Sequence, residues 1–159
     1  MNTSDPSPAT PSKTLEERWN LTYRHSMGET ATRFFDTLRD EGVLLARRCP
    51  SCRRALLPPR AFCDRCFVPT TEWVRCGIVG VLETFTIVAQ TFQGLPEAPY
   101  CFGYVRLEGA DTAMLNYIRG LELADVRGAA RRLPVGTPMR LVVRPAREGH
   151  MGDFWFEVV

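Results

Sequence analysis

Apolar positions recur along this chain with two different periods, and the change falls near residue 77. In SMGETATRFFDTLRDEG, residues 26–42, Ala31, Phe34, Phe35 and Leu38 stand at i, i+3, i+4 and i+7. That spacing predicts a helix with one apolar face. Ser26 and Glu29 have the spacing of a capping box with Ser26 as N-cap, and Gly42 stands where a left-handed stop belongs. A shorter helix is predicted ahead of it, around 15–24. The aromatic face needs a cover, which is either the rest of this chain or a partner surface.

Beyond residue 77 the pattern is that of strands. IVGVLETFTIVAQ (78–90) is β-branched and aromatic, with Gly80 as an expected bend or bulge. YCFGYVRLEG and DTAMLNYIRG follow as a hairpin turning at Gly109, Ala110 and Asp111. LELADVRGAARRLPVG predicts a short helix closed by Pro134 and Gly136. MRLVVRP and DFWFEVV then alternate around the turn REGHMG. Five strands, with a helix or long connection between the third and fourth, are the pattern of a small OB-type barrel. The expected organisation is a flexible tail over 1–14, a helical segment over 15–45, a cysteine-rich ribbon over 46–75 and the barrel over 76–159.

The ribbon carries the candidate chemistry. RRCPSCRRALLPPRAFCDRCF (47–67) holds two Cys-x-x-Cys pairs, Cys49/Cys52 and Cys63/Cys66. Each pair can present two sulfurs to one ion from a tight turn, and four thiolates complete a closed tetrahedral shell. No position then remains for water or substrate, so the site reads as structural. Zinc is the expected ion. A mononuclear iron has the same ligands and a redox dithiol the same motif. Iron knuckles of the rubredoxin type usually carry Gly after the second Cys, where this chain has Arg53 and Phe67, and that favours zinc. Losing Cys49 is expected to unfold the ribbon but not necessarily the barrel. Cys76 and Cys101 fall outside the pattern and are expected to be packing residues.

Composition narrows the function. The net charge of +2 and the 45% hydrophobic content describe a packed domain rather than a nucleic-acid coat or a disordered chain. Nineteen of the twenty basic residues are arginine. Residues 47–75 hold seven of them against Asp64 and Glu72; a zinc with four thiolates contributes a formal −2, leaving a knob of about +3. No stretch approaches the roughly 20 apolar residues of a membrane span. MNTSDPSPATPSKT lacks the basic start and apolar run of an export signal, so reduced thiols and a cytoplasmic location are expected. The two histidines, His25 and His150, sit in no nucleophile motif, and no Gly-rich phosphate loop or metalloprotease motif occurs. No catalytic residue is assigned.

Helix, ribbon and barrel in this order resemble the zinc-ribbon/OB-fold proteins that accompany thiolases. The resemblance rests on Phe34-Phe35-x-x-Leu38, Cys49-Pro-Ser-Cys52, Pro59-Arg60, Cys63-Asp-Arg-Cys66 and Trp73. It continues through Gly80-Val81-Leu82, Phe85-Thr86, Pro99-Tyr100 and Val105-Arg-Leu107 to Gly109. The fold it implies is mainly β: an N-terminal helix or helices, a rubredoxin-like zinc ribbon, then a five-stranded OB-fold barrel. The function it implies is a non-catalytic, zinc-binding subunit in a hetero-oligomer. Such a subunit docks on a thiolase-like enzyme that cleaves or forms carbon–carbon bonds in acyl-CoA substrates. Under that resemblance Phe34, Phe35 and Leu38 are expected partner contacts. Arg53, Arg54 and Arg60 are expected neighbours of partner acids or CoA phosphates. The competing reading is a single-strand nucleic-acid binder, stacking bases on aromatics such as Phe85, Phe92, Tyr100, Phe102, Tyr104 and Tyr117. The sparse basic charge of the barrel argues against it.

Overall fold

A computed structural model describes residue 22 and residues 24–159. The expected tail over 1–14 and most of the expected first helix over 15–24 lie outside the described residues. The first helix of the described residues is α1, Gly28–Glu41, and it ends as expected: Gly42 adopts φ 69° and donates its N–H to Leu38 O at 3.0 Å. The start differs from the expected capping box. Gly28 has φ 66°, and this left-handed residue turns the chain between Ser26 and Glu29. The Ser26 hydroxyl therefore accepts from Gly28 N–H, two residues on, and the residue ahead of the helix is Met27.

Three short strands follow: β1 (Leu45–Arg48), β2 (Ala55–Leu56) and β3 (Glu72–Arg75), in the antiparallel order β2-β1-β3. Trp73 of β3 has two guanidinium groups against its ring, Arg33 of α1 at 4.8 Å and Arg47 of β1 at 5.1 Å. These cation–π contacts tie the helix to the ribbon.

The remaining strands are β4 (Val79–Val88), β5 (Tyr100–Leu107), β6 (Met114–Ile118), β7 (Pro138–Val143) and β8 (Phe154–Val158), with helix α2 (Val126–Arg132) between β6 and β7. They close a barrel in the order β4-β5-β6-β8-β7. Closure comes from β6 and β8, which meet in parallel at Ile118 and Phe156. Alternation along β5 sends Cys101, Val105 and Leu107 inward, where they meet Leu82, Met139, Phe154 and Phe156. The short helix is capped by Asp125, whose carboxylate accepts Gly128 N–H at 2.9 Å.

The bulge in β4 falls between Leu82 and Thr84, not at Gly80. Gly80 serves a different purpose: a Cβ there would lie 2.4 Å from Arg106 O, on the backbone of the paired strand. Only hydrogen allows that approach. Gly80→Ala is expected to destabilise the protein by about 1–3 kcal/mol through overpacking. Chemical denaturation would measure it, and an unchanged midpoint would refute the close approach.

Ribbon and barrel share one core. Phe34 and Leu38 of α1, Ala46, Ala55 and Leu57 of the ribbon, and the barrel residues named above belong to a single buried cluster. The ribbon covers part of the barrel's own apolar surface, so the open question of whether the barrel outlasts the ribbon turns toward a shared fate.

Candidate functional site

The two cysteine pairs occupy matching turns. In the first, Cys49 N–H donates to Arg54 O at 2.8 Å and Arg53 N–H to Cys49 O at 3.0 Å. In the second, Cys63 N–H donates to Val68 O and Phe67 N–H to Cys63 O, both at 3.0 Å. Arg53 and Phe67 have φ 65° and 54°, the only positive values outside glycine among the described residues. An L side chain in that region costs on the order of 1 kcal/mol. The knuckle backbone is therefore the one glycine would adopt, and the missing glycines do not separate zinc from iron after all.

All four sulfurs lie within 4.8 Å of one another, with Cys52 Sγ and Cys63 Sγ 3.7 Å apart. A tetrahedral zinc with bonds near 2.3 Å places its sulfurs about 3.8 Å apart, so the four ligands fit one ion. Cys49 and Cys63 are buried, Cys52 and Cys66 half-buried. Backbone N–H groups of Arg65 and Cys66 draw the Cys63 thiol down to about 7. The Arg54 N–H pulls on Cys52 in the same way, but burial and the neighbouring sulfurs outweigh it and push that thiol up to about 11. Four crowded sulfurs without a cation hold some of their protons, which a metal displaces on binding. Among the described residues no other group of three or more Cys, His, Asp or Glu side chains is placed to share an ion.

The arginines around the knuckles are partly neutralised. Asp64 of the second knuckle receives Arg54 of the first at 3.2 Å and Arg60 at 3.1 Å. Burial works to raise the Asp64 carboxyl, yet the charges of Arg54 and Arg60 hold it below its ordinary range. Arg53 faces Glu72 at 3.8 Å. Cys76 and Cys101 stay apart from the cluster. Burial pushes each thiol up to about 11, which leaves both protonated and poor nucleophiles at neutral pH.

A second feature lies where helix, ribbon and barrel meet. A cavity of about 390 Å³ is walled by Phe35 of α1, Pro58, Pro59 and Arg60 of the ribbon, and Tyr104 and Leu115 of the barrel. Met151 lines it as well. The segment carrying Met151 is held by Asp153, which is fully buried and accepts N–H bonds from Glu148, Gly149 and His150 at 2.7–3.1 Å. The apolar wall continues along the outer face of β5 and β6, where Tyr100 packs on Phe102 (6.2 Å between ring centres) and on Tyr117 (5.9 Å).

Of the residues expected at a partner surface, Phe34 and Leu38 are covered by this chain itself, at 3% and 0% exposure. The helical stripe packs largely against this chain, and Phe34 and Phe35 both line the cavity. Arg60 shares that cavity; Arg53 and Arg54 lie at the knuckles. The sequence placed Asp111 only in a hairpin turn and gave Thr112 no role. Asp111 exchanges hydrogen bonds with Ala55, its carboxylate accepting Ala55 N–H and its own N–H donating to Ala55 O, both at 2.8 Å. The Thr112 hydroxyl accepts Leu57 N–H at 2.7 Å and donates to Leu57 O at 2.8 Å. No local pattern announces a turn that clasps a segment some 55 positions away.

Comparison with known proteins supports this architecture. Residues 37–72 match the family model of the ChsH2 rubredoxin-like zinc ribbon domain, and residues 73–144 that of the ChsH2 C-terminal OB-fold domain. No curated protein matches the sequence. Solved structures share the fold, among them the following two. One is a protein of unknown function of the DUF35 family from Sulfolobus solfataricus: 19% identity, TM-score 0.60, 83% of this chain and 87% of the other covered. The second is the Ltp2-ChsH2(DUF35) aldolase: 18% identity, TM-score 0.61, 85% of this chain and 98% of the other. Among the described residues no helix is long and apolar enough to cross a membrane.

Proposed function

Because this chain belongs to the ChsH2 family of zinc-ribbon and OB-fold proteins, we propose that it is a non-catalytic subunit that docks on a thiolase-like enzyme acting on acyl-CoA substrates. The observation that carries this reading is the apolar cavity shared by α1, ribbon and barrel. It is lined by Phe35, Pro59, Tyr104 and Leu115, with Arg60 as its one charged wall residue. Such a surface offers packing and a phosphate- or carboxylate-binding edge, and its wall carries no histidine, carboxylate or thiol of the kind that serves acyl transfer. Catalysis is assigned to the partner. The ion in the ribbon is zinc, held by Cys49, Cys52, Cys63 and Cys66, and its part is to fix the shape that α1 and the barrel share.

Arg53, Arg54 and Arg60 are the proposed contacts for partner acids or CoA phosphates. Arg60 is best placed, since it reaches the cavity while Asp64 steadies it. Phe35 is the proposed helix contact. The two chains together form a hetero-oligomer.

Purification of the tagged chain from its native cells tests the reading. A thiolase-like protein, identified by mass spectrometry and present in stoichiometric amount, is the expected companion. The recovered pair should cleave or form an acyl-CoA carbon–carbon bond that this chain alone does not. Recovery without such a protein would overturn it.

The outward aromatics Tyr100, Phe102 and Tyr117 favour a second reading, a stacking surface for single-stranded nucleic acid. The charge around them argues the other way. Arg106 is paired with Glu83 at 2.7 Å, Arg140 with Glu157 at 3.2 Å, and Arg119 lies over Trp155 at 4.4 Å. Little free positive charge remains to track a phosphate backbone. Nucleic acid that stays bound at raised salt, without a protein partner, would select this reading instead.

A further inference from the structure

The second zinc knuckle carries an aromatic side chain that its backbone does not favour and that the protein does not cover. Phe67 stands in the left-handed region, φ 54°, where glycine is at ease, and its side chain is 83% exposed. That is the highest exposure of any large apolar residue among the described ones. Arg53 occupies the matching position of the first knuckle at the same backbone cost, but its guanidinium reaches Glu72. Phe67 gains nothing comparable from its own chain. The turn belongs to the knuckle, as Arg53 shows, but it holds an apolar ring in water, and the compensation for that exposure lies outside the free protein.

The surroundings define that compensation. Phe62, 60% exposed, enters the same knuckle and bridges to Pro69 beyond it, so two exposed rings flank Cys63 and Cys66. Arg65 stands between them at the tip, exposed and without an ion pair among the described residues. Across the ribbon the arginines outnumber the carboxylates even after the thiolates are counted.

We propose that Phe67 is the anchor with which the ribbon docks, inserting into an apolar socket rimmed by carboxylates on the thiolase-like partner, with Arg65 meeting the rim. This deepens the functional reading above and rests on it. An exposed aromatic beside an unpaired arginine is the composition of an interface hot spot, and the positive charge of the ribbon steers its approach.

Phe67→Gly separates the anchor from the fold, because glycine suits the φ of this turn. The variant is expected to keep its zinc and a melting temperature at or above that of the parent protein. Its affinity for the thiolase-like partner, purified with the parent chain and titrated back, is expected to fall at least tenfold. Arg65→Glu is expected to weaken binding as well, and parent binding is expected to weaken with salt. Unchanged affinity for Phe67→Gly would overturn the anchor while leaving the functional reading intact. Unchanged affinity for Arg65→Glu would overturn the acidic rim. A parent chain that recovers no thiolase-like protein overturns both this inference and the reading it rests on. A parent self-association that Phe67→Gly abolishes would make the occupant a second copy and so overturn the proposal.

Discussion

Cys49→Ser is expected to release the metal and to unfold far more than the ribbon. The metal content should fall from about one ion per chain to near zero, because three thiolates leave a structural zinc shell open. In small zinc modules the metal supplies on the order of 10 kcal/mol of folding free energy, comparable with the whole stability of an ordinary domain. A ribbon of two- and four-residue strands has little else to hold it. In this protein the loss does not stop at the ribbon. Ala46, Ala55 and Leu57 are fully buried in the same cluster as Leu82, Val105 and Phe156, so their departure exposes barrel core to water. Calorimetry should show one transition for the parent protein. The variant should melt much lower, bind a hydrophobic dye and lose partner binding. Chelation of the parent protein should reproduce these changes. A variant that keeps its metal, or a barrel that melts at the parent temperature, would contradict the shared core.

Asp111→Ala combined with Thr112→Val is expected to destabilise the chain by about 2–5 kcal/mol while the metal remains bound, since each buried polar group left without a partner costs about 1–3 kcal/mol. Strand β2 lies at the edge of its sheet. Its outer side would leave Ala55 and Leu57 with unpaired backbone groups, although both residues are fully buried. The turn between β5 and β6 supplies those partners. Asp111 takes both polar groups of Ala55, and the Thr112 hydroxyl takes both of Leu57. The same clasp positions Pro58 and Pro59 at the cavity wall, so the double variant should also weaken partner binding. Denaturant unfolding measures the stability and metal analysis separates this effect from loss of the ion. Asp111→Asn, whose amide oxygen can still accept from Ala55 N–H, should recover part of the loss. A change under about 1 kcal/mol would mean that water replaces the clasp, because satisfied backbone groups cost little.

Several features were legible in the residues because they depend on near neighbours. Two residues between paired cysteines set a knuckle. A stripe at i, i+3, i+4 and i+7 sets a helix, and alternation sets strands. These spacings led to the four metal ligands, to α1 with its Gly42 stop, and to five strands with α2 between the third and fourth. The family resemblance, borne out by the matches over residues 37–144, joined those pieces into ribbon and barrel.

What covers each apolar face was decided only in three dimensions. Periodicity marks Phe34 and Leu38 as apolar but is silent on the surface they meet; the fold buries them in this chain and sets Phe34 and Phe35 at the cavity. The parallel meeting of β6 and β8, the place of the β4 bulge and the Asp111–Thr112 clasp all join residues far apart in the chain. Only the closed barrel brings these together, and their energies depend on that proximity rather than on composition. The left-handed turn at Phe67 follows the same logic. The hydrogen-bonded knuckle, shared with Arg53, imposes a backbone that the residue itself does not prefer, and so sets an aromatic ring in water where the sequence alone shows only a phenylalanine after a cysteine.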